Sequence, residues 1–473
     1  MQARALWRSA KKVMANVDPS EVPAGNGEQA PTAVRHHITR ERMALLFLVM
    51  LVTAAGNTAM QSVMPSIGTA MGVADIWISL AYTWSALLWV ICAPYWARRS
   101  DHRGRKAMMA IGLIGFISSM ALCGLTLWFG LNGFLSAFAT LILFAAARSL
   151  YGWFGSASPP AVQAYVASRT PRNERTQAMA LIASSFGLGT VIGPALAPLL
   201  IFPATGMIGP FFAFAIVGVI VLVALRLRLP DDTPSYSVRG EIVAAPFSAG
   251  ASQRLEIDDE DQPSSDDGAA AKEIPHLRWR DIRLRPWVLA GLLGGHAQAA
   301  MLGIIGFFIL DRLDLRTSPD AAAGYIGLVL MSGAIATLLA QWGLMPMLKP
   351  GPRASLMWGV ALAALGVVTF SISQELHSIT LGFAIASMGF GLYRPGFTAG
   401  SSLSVTRVEQ GQVSGIVASI NGSAYIVAPT AGVWLYGHHP VIGFATICLL
   451  LLAVFLLALL HIDKDDQLTR DRI

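Results

Sequence analysis

An all-α integral membrane protein, with twelve transmembrane helices in two pseudo-symmetric six-helix bundles, is the architecture expected of this 473-residue chain. Three observations lead there. Residues of the AVILMFWYC set make up 54% of the chain and charged residues only 13%, with a mean hydropathy of +0.56. Soluble chains carry roughly 25% charged residues, so the surfaces of about three soluble domains could not be kept wet. Second, the apolar runs are continuous and reach the roughly 20 residues that a helix needs to cross a bilayer. Third, one polar break divides those runs six and six. A cytosolic enzyme and a secreted disulfide scaffold are both excluded. Cys92, Cys123 and Cys448 lie in apolar runs and form neither a disulfide framework nor a metal-ligand cluster, so no metal or cofactor is expected.

Residues 1–42 are polar and mixed in charge, without the apolar core and cleavage site of a signal peptide. They are expected to be a cytoplasmic tail; Arg4, Arg8, Lys11 and Lys12 offer it an alternative place on anionic lipid. The first bundle is expected over residues 43–229, with spans near 43–70, 76–97, 107–130, 135–167, 176–201 and 210–228. Residues 230–285 form a cytoplasmic linker. Its middle, around Glu256, Asp258, Asp259, Glu260 and Asp261, is too acidic and too poor in apolar residues to fold alone. Its end, 276–286, mixes basic and apolar residues and suits the interface, with Trp279 at headgroup level. The second bundle is expected over 286–462, with spans near 286–311, 319–348, 354–372, 377–405, 412–437 and 440–462, before a tail over 463–473. A barrel is excluded because these runs lack apolar/polar alternation.

Of the 34 Lys and Arg residues, thirty fall on one side if the N-terminus is cytoplasmic. Only Arg312 and Arg316 fall on the other, while Arg148 and Arg394 lie within spans. The positive-inside rule therefore puts both termini in the cytoplasm. The net charge of +6 reflects this distribution rather than nucleic-acid binding. The halves also repeat: spans one and seven begin about 243 residues apart, and Arg148 and Arg394 recur at nearly that spacing. Parallel repeats of this kind place a transport site at the bilayer midplane, between the halves.

Three motifs carry a resemblance to the major facilitator superfamily, and it extends over residues 43–462. The loop Ala97-Arg98-Arg99-Ser100-Asp101-His102-Arg103-Gly104-Arg105-Lys106 is similar to the family's G-x-x-x-D-R-x-G-R-R/K, with Ala97 and His102 as departures. A tight turn is expected at Gly104, and the resemblance gives Asp101, Gly104, Arg105 and Lys106 a gating role between the halves. Arg148-Ser149-Leu150-Tyr151-Gly152 resembles R-x-x-Q-G, with Tyr151 where Gln is usual. The resemblance ties Arg148 to proton transfer; the alternative is a structural Arg bonded to carbonyls. Gly189-Thr190-Val191-Ile192-Gly193-Pro194 resembles the start of G-x-x-x-G-P-x-x-G-G, which marks the exporting antiporter branch, chiefly drug efflux proteins. Ala197-Pro198 replaces the final Gly-Gly. Gly189 and Gly193 also make a groove for a neighbouring helix, and Pro194 bends its own.

None of the 28 acidic residues lies near the middle of an expected span. The coupling candidates are therefore Asp311, at the end of span seven, and His296 within it, the only histidine in a span. A structural, hydrogen-bonded His296 is the competing reading. Arg394 is the second cation in a span. With Arg148 it could place two guanidinium groups around one cavity, and without a carboxylate at that depth they suit an anionic substrate. The competing reading gives Arg394 the carbonyls freed by Pro395. Asn57, Gln61, Gln163, Tyr165, Gln298 and Asn421 are further polar candidates, for binding or for holding helices together.

No phosphate-cradling motif supports an ATP-driven pump, and no nucleophile elbow supports an enzyme. What the resemblance implies is a proton-coupled secondary transporter of the bacterial cytoplasmic membrane, exporting a small organic molecule as multidrug pumps do, by alternating access. Its partners would be the substrate, protons and the lipid bilayer. The alternatives are a dedicated exporter of an anionic metabolite, such as a carboxylate siderophore, and an importer of organic anions.

Overall fold

The computed structural model describes residues 38–170, 172–230, 280–405 and 410–465. The expected N-terminal tail through residue 37, nearly all of the linker with Trp279, and residues 466–473 lie outside them. The described residues are helical apart from short turns and one isolated bridge, Phe202–Gly206. Lipid offers a backbone amide no partner, so each crossing segment closes its own hydrogen-bond ladder.

In chain order the helices are α1 (Arg40–Ala70), α2 (Asp75–Arg103), α3 (Arg105–Leu131), α4 (Ala137–Trp153), α5 (Ser158–Arg169), α6 (Arg172–Leu196) and α7 (Gly209–Arg228). After the linker come α8 (Arg285–Arg312), α9 (Pro319–Leu339), α10 (Met345–Leu348), α11 (Pro352–Ile372), α12 (Leu376–Leu403), α13 (Gln410–His438) and α14 (Pro440–His461). Ten stretches among the described residues are long and apolar enough to cross a membrane, with α4–α5 and α9–α10 each counting as one. The protein is a multi-pass membrane protein. Beside these stand α6 and α13, of 25 and 29 residues.

Two of the runs expected as single helices are interrupted. Between α4 and α5 the ladder lapses into a 3₁₀ turn, Gly155–Ala157. The cause is Pro159-Pro160: two successive missing N–H groups leave the turn's carbonyls without helical donors. The Trp153 carbonyl instead accepts from Trp96 Nε1 at 2.6 Å and Ser156 Oγ at 2.8 Å. Between α9 and α10 lies a π-helical turn, Ala340–Leu344, just ahead of Pro346. Such bulges absorb a proline's lost hydrogen bond without ending the span.

Helices α1–α7 pack chiefly among themselves, with α1 on α6, α3 on α4 and α7, and α2 on α4. Helices α8–α14 do likewise, with α11 on α12, α8 on α13 and α14, and α9 on α12. The two groups meet where α2 lies on α13 and where α9 lies on α6 and α1. We call the end with the turns 71–74 and 313–318 distal, and the end with Gly104, Gly351 and Asp465 proximal. Contacts across the groups begin at the distal turns and run down to Val90 and Gly422. Ser79 and Thr83 on α2 bond Thr430 on α13 at 3.2 and 2.6 Å. Gly306 on α8 faces the Pro65 ring on α1.

At the proximal end Gly104 alone joins α2 to α3, with φ at 86°, a conformation that L side chains rarely adopt. Arg105, just after it, is buried and donates to Ser168 Oγ at the end of α5. On the other group, Asp465 accepts from the Arg353 and Ala354 amides at 2.8 and 3.0 Å, capping the start of α11.

Candidate substrate and coupling site

Arg148 sits eleven residues into α4, about 16 Å from its distal start at 1.5 Å per residue. It is 1% exposed, the largest fully buried side chain among the described residues. Its Nη2 donates to Asn57 Oδ1 on α1 at 3.0 Å. The guanidinium carbon lies 4.8 Å from the ring centre of Tyr151 and 5.6 Å from that of Tyr82 on α2. Tyr151 in turn packs on Trp89, with centroids 5.0 Å apart, and on Phe116. Cation–π contacts in a desolvated site contribute ~2 kcal/mol or more each. A buried Arg costs ~2.5–3.5 kcal/mol on insertion scales, so the rings and Asn57 together make its burial tolerable.

They do not satisfy its hydrogen bonding. Arg148 Nε and Nη1 are buried without a hydrogen-bond partner, and so is the Tyr82 hydroxyl. Among the residues whose contacts are described here, no carboxylate touches this guanidinium. A cation with two open donors, flanked by aromatic faces and an open phenol, can receive an acceptor-rich anion with an aromatic body.

Arg394 is half-buried on α12, one residue before Pro395. Its Nη2 donates to the Tyr425 hydroxyl on α13 at 3.3 Å and the guanidinium stacks on that ring at 5.7 Å. Its Nε has no partner. It therefore sits beside a phenol in its own group, as Arg148 does. The neighbouring Tyr393 bonds the α8 carbonyls of Ala290 and Gly291 at 2.9 and 3.1 Å.

The other sequence candidates fall in different places. His296 turns its Nδ1 onto the Leu292 carbonyl of its own helix at 2.7 Å. Gln298 keeps a buried Oε1 without a partner. Gln61 is half-buried on α1, one turn beyond Asn57. Asp311 is remote from Arg148: it is exposed at the distal end of α8. Gly104, Arg105 and Lys106 occupy the proximal α2–α3 joint, while the side chain of Asp101 lies outside the described ones. Gly189 and Gly193 face α1, where a Cβ on Gly193 would lie 2.2 Å from Thr58 Oγ1 and 2.3 Å from the Ala55 carbonyl. The carbonyl of Pro194 faces Gly327 on α9, across the groups.

Sequence reasoning passed over Tyr82, Tyr425 and a distal ion cluster. The signal for Tyr82 was its depth: seven residues into an apolar run, a phenol must find a polar partner. In the cluster, Arg316 forks Asp75 on α2 with Nη1 at 3.1 Å and Nη2 at 2.7 Å. Its Nε also bonds Asp311, whose other oxygen accepts from Tyr436 on α13 at 2.7 Å. The Asp75 bond, more than any other contact, holds the Arg316 guanidinium well above its ordinary range, so it stays charged. Beside it a cleft of about 570 Å³ is lined by Val73, Asp75, Ile76, Arg316, Trp434 and His438.

The chain is similar to several known proteins. A relative described as a probable actinorhodin transporter, from Streptomyces coelicolor, is 25% identical over 344 residues, covering 70% of this chain and 52% of its own. A probable chloroplastic anion transporter of rice is 28% identical over 230 residues, covering 45% of this chain and 40% of its own. A multidrug efflux pump homologue from Lactococcus lactis is 28% identical over 163 residues, covering 34% and 36%. The chain thus spans about half the length, or less, of these curated relatives. Among solved structures, the human organic anion transporter MFSD10 aligns with a TM-score of 0.57 at 19% identity, over 89% of this chain and all of its own. An inward-facing, unoccupied bacterial homologue of the lysosomal transporter Spinster aligns at 0.62 with 13% identity, over 91% and 98%. At those identities the likeness establishes the fold alone. Residues 46–399 match the profile of the Major Facilitator Superfamily, and the chain belongs to that family of membrane transporters, not to an enzyme family.

Proposed function

We propose that the protein is a proton-coupled secondary exporter of small organic anions with an aromatic body, working by alternating access in a bacterial cytoplasmic membrane. In this reading α1–α7 and α8–α14 are two six-helix bundles, twelve spans in all, with both termini cytoplasmic. The distal end then faces outward, and the contacts described between the groups, from the distal turns to Val90 and Gly422, suit an inward-facing state. One observation carries the substrate class: Arg148 is buried with two open donors between two tyrosine rings, and no described contact neutralises it. The names of relatives include an actinorhodin transporter and an anion transporter on one side and a multidrug efflux pump on the other. The direction rests on the α6 motif, whose Gly189 and Gly193 lie against α1. Arg148, Asn57 and Gln61 would hold the anion first, and Arg394 and Gln298 would meet it from the other group.

Multidrug efflux of neutral or cationic compounds is the second reading, favoured by the drug-pump relatives. Mass spectrometry of spent medium separates the two, using wild-type, deletion and Arg148→Lys strains grown with and without iron. An aromatic acid lost from the medium of both altered strains supports the anion reading, and a loss confined to low iron identifies a carboxylate siderophore. Accumulation of such an acid in the deletion medium would mean import. Unchanged media, with raised drug sensitivity in the deletion strain only, would replace the anion reading with polyspecific efflux.

A further inference from the structure

Arg148 carries a full charge into the interior of the first group. It is 1% exposed, and the described side chains around it, Asn57, Tyr82 and Tyr151, are all uncharged. Asp75, the carboxylate described on the adjoining helix α2, lies seven residues before Tyr82, about 10 Å away along the axis. Arg316 already holds it. A single ion is costly in a low-dielectric interior, and buried charges are therefore paired with opposite ones.

The hydrogens of the guanidinium define where a partner belongs. The group offers five N–H donors in a fixed plane. Asn57 Oδ1 takes one of the two on Nη2, while Nε and Nη1 are buried without a partner. One Nη2 hydrogen points along the edge shared with Nε, the other along the edge shared with Nη1. Whichever of them Asn57 takes, the other edge keeps a complete two-donor fork. The Tyr82 hydroxyl is likewise buried without a partner and can donate as a third group.

These donors specify a ligand. It accepts from two N–H groups at once, and it is small, because helices α1, α2 and α4 enclose the guanidinium. It also carries one negative charge, since a divalent oxyanion would replace a buried cation by a buried net anion. Water satisfies the hydrogen bonds but brings no charge. A halide ion meets every requirement.

We infer that Arg148 holds a halide such as chloride as its counter-ion between rounds of transport, and that an organic acid must displace it. The ion accepts from the free edge of the guanidinium and from the Tyr82 hydroxyl. Arg394 is not an equivalent site. It is only half-buried, so solvent screens it, and its Nη2 is engaged by the Tyr425 hydroxyl.

This site rests on the reading of Arg148 as an anion receptor. The test contains no aromatic acid, so a failed substrate assignment and a failed halide site give separate results. Full-length protein in nanodiscs is melted over a range of chloride concentrations, with gluconate as the replacement anion at constant ionic strength. A ligand bound only by the folded state stabilises it by a fixed increment per tenfold rise, once its dissociation constant is passed. The parent should show that climb. Asn57→Asp, which brings its own carboxylate to Arg148, should lose it, and so should Arg148→Gln. Tyr82→Phe keeps the ring and loses the donor; its climb should begin at about tenfold higher chloride, the worth of one hydrogen bond to a charged group. Arg394→Gln should keep the parent's response. In crystals grown with bromide, an anomalous-scattering peak should lie beside Arg148. A parent whose melting ignores chloride overturns the inference and leaves water in the fork. So does an Asn57→Asp protein with the parent's climb, an unshifted Tyr82→Phe, a climb lost in Arg394→Gln, or bromide at Arg394 alone.

Discussion

At the scale of single residues, the site depends on one cation kept short of partners. Asn57 supplies Arg148 with a neutral acceptor, where a carboxylate would give a full counter-charge. Asn57→Asp tests this directly. The new carboxylate should form an internal ion pair that satisfies Arg148, preserves or raises thermal stability, and competes with an anionic substrate. Transport of an aromatic acid into inverted vesicles should fall by about tenfold or more, the factor that 1.4 kcal/mol produces. An equally active Asn57→Asp protein would mean that Arg148 does not meet the substrate. The presence of Arg148 within an apolar run could be read from the sequence, because a charge at that depth is too costly to be incidental. Its cage could not. Tyr82 lies 66 residues away on another helix, and nothing local in the chain announces that its ring turns toward Arg148. His296 shows the reverse: its residue type suggests titration, while its bond to Leu292 four residues back is a purely local event.

At the scale of helices, the small residues decide how closely axes approach. Gly193 lies against Thr58 and Ala55 of α1, so Gly193→Ala must push α6 from α1. The cost should be about 1–3 kcal/mol, as for other overpacked contacts, seen as a lower melting temperature in detergent. Gly437→Ala, which meets open space, should change little. Equal melting temperatures for the two variants would show that the α1–α6 contact is slack. The long apolar runs were legible because their composition alone sets them apart, and Gly104 because a one-residue joint needs a permissive backbone. The breaks in the fourth and eighth runs were missed, although Pro159-Pro160 and Pro346 stood in the sequence. In a membrane, prolines are tolerated when neighbours re-satisfy the carbonyls, so only the position of Trp96 and Ser156 shows where the ladder stops.

At the scale of the whole molecule, the distal seam between α2 and α13 must part if access alternates. Thr83 and Thr430 face each other with hydroxyls 2.6 Å apart, so sulfurs in their place would lie close together. In protein otherwise free of cysteine, Thr83→Cys with Thr430→Cys should oxidise readily and arrest transport, and a reductant should restore it. Continued transport by fully oxidised protein would mean that the groups do not separate there. This seam was beyond sequence reasoning, since its partners are some 350 residues apart. The repeat between Arg148 and Arg394 indicated that two halves exist, but a repeat carries no information on which of their surfaces touch.

Helix α2 has a further consequence. It carries Asp75 at its distal tip, Tyr82 and Ser85 against Arg148, and Trp96 at the break in the fourth run. The ion cluster and the cage around Arg148 are therefore two loads on one beam, about 10 Å apart along its axis at 1.5 Å per residue. Thermodynamic linkage makes any influence mutual: whatever factor a change at the tip imposes on binding at Arg148, binding at Arg148 imposes on the tip.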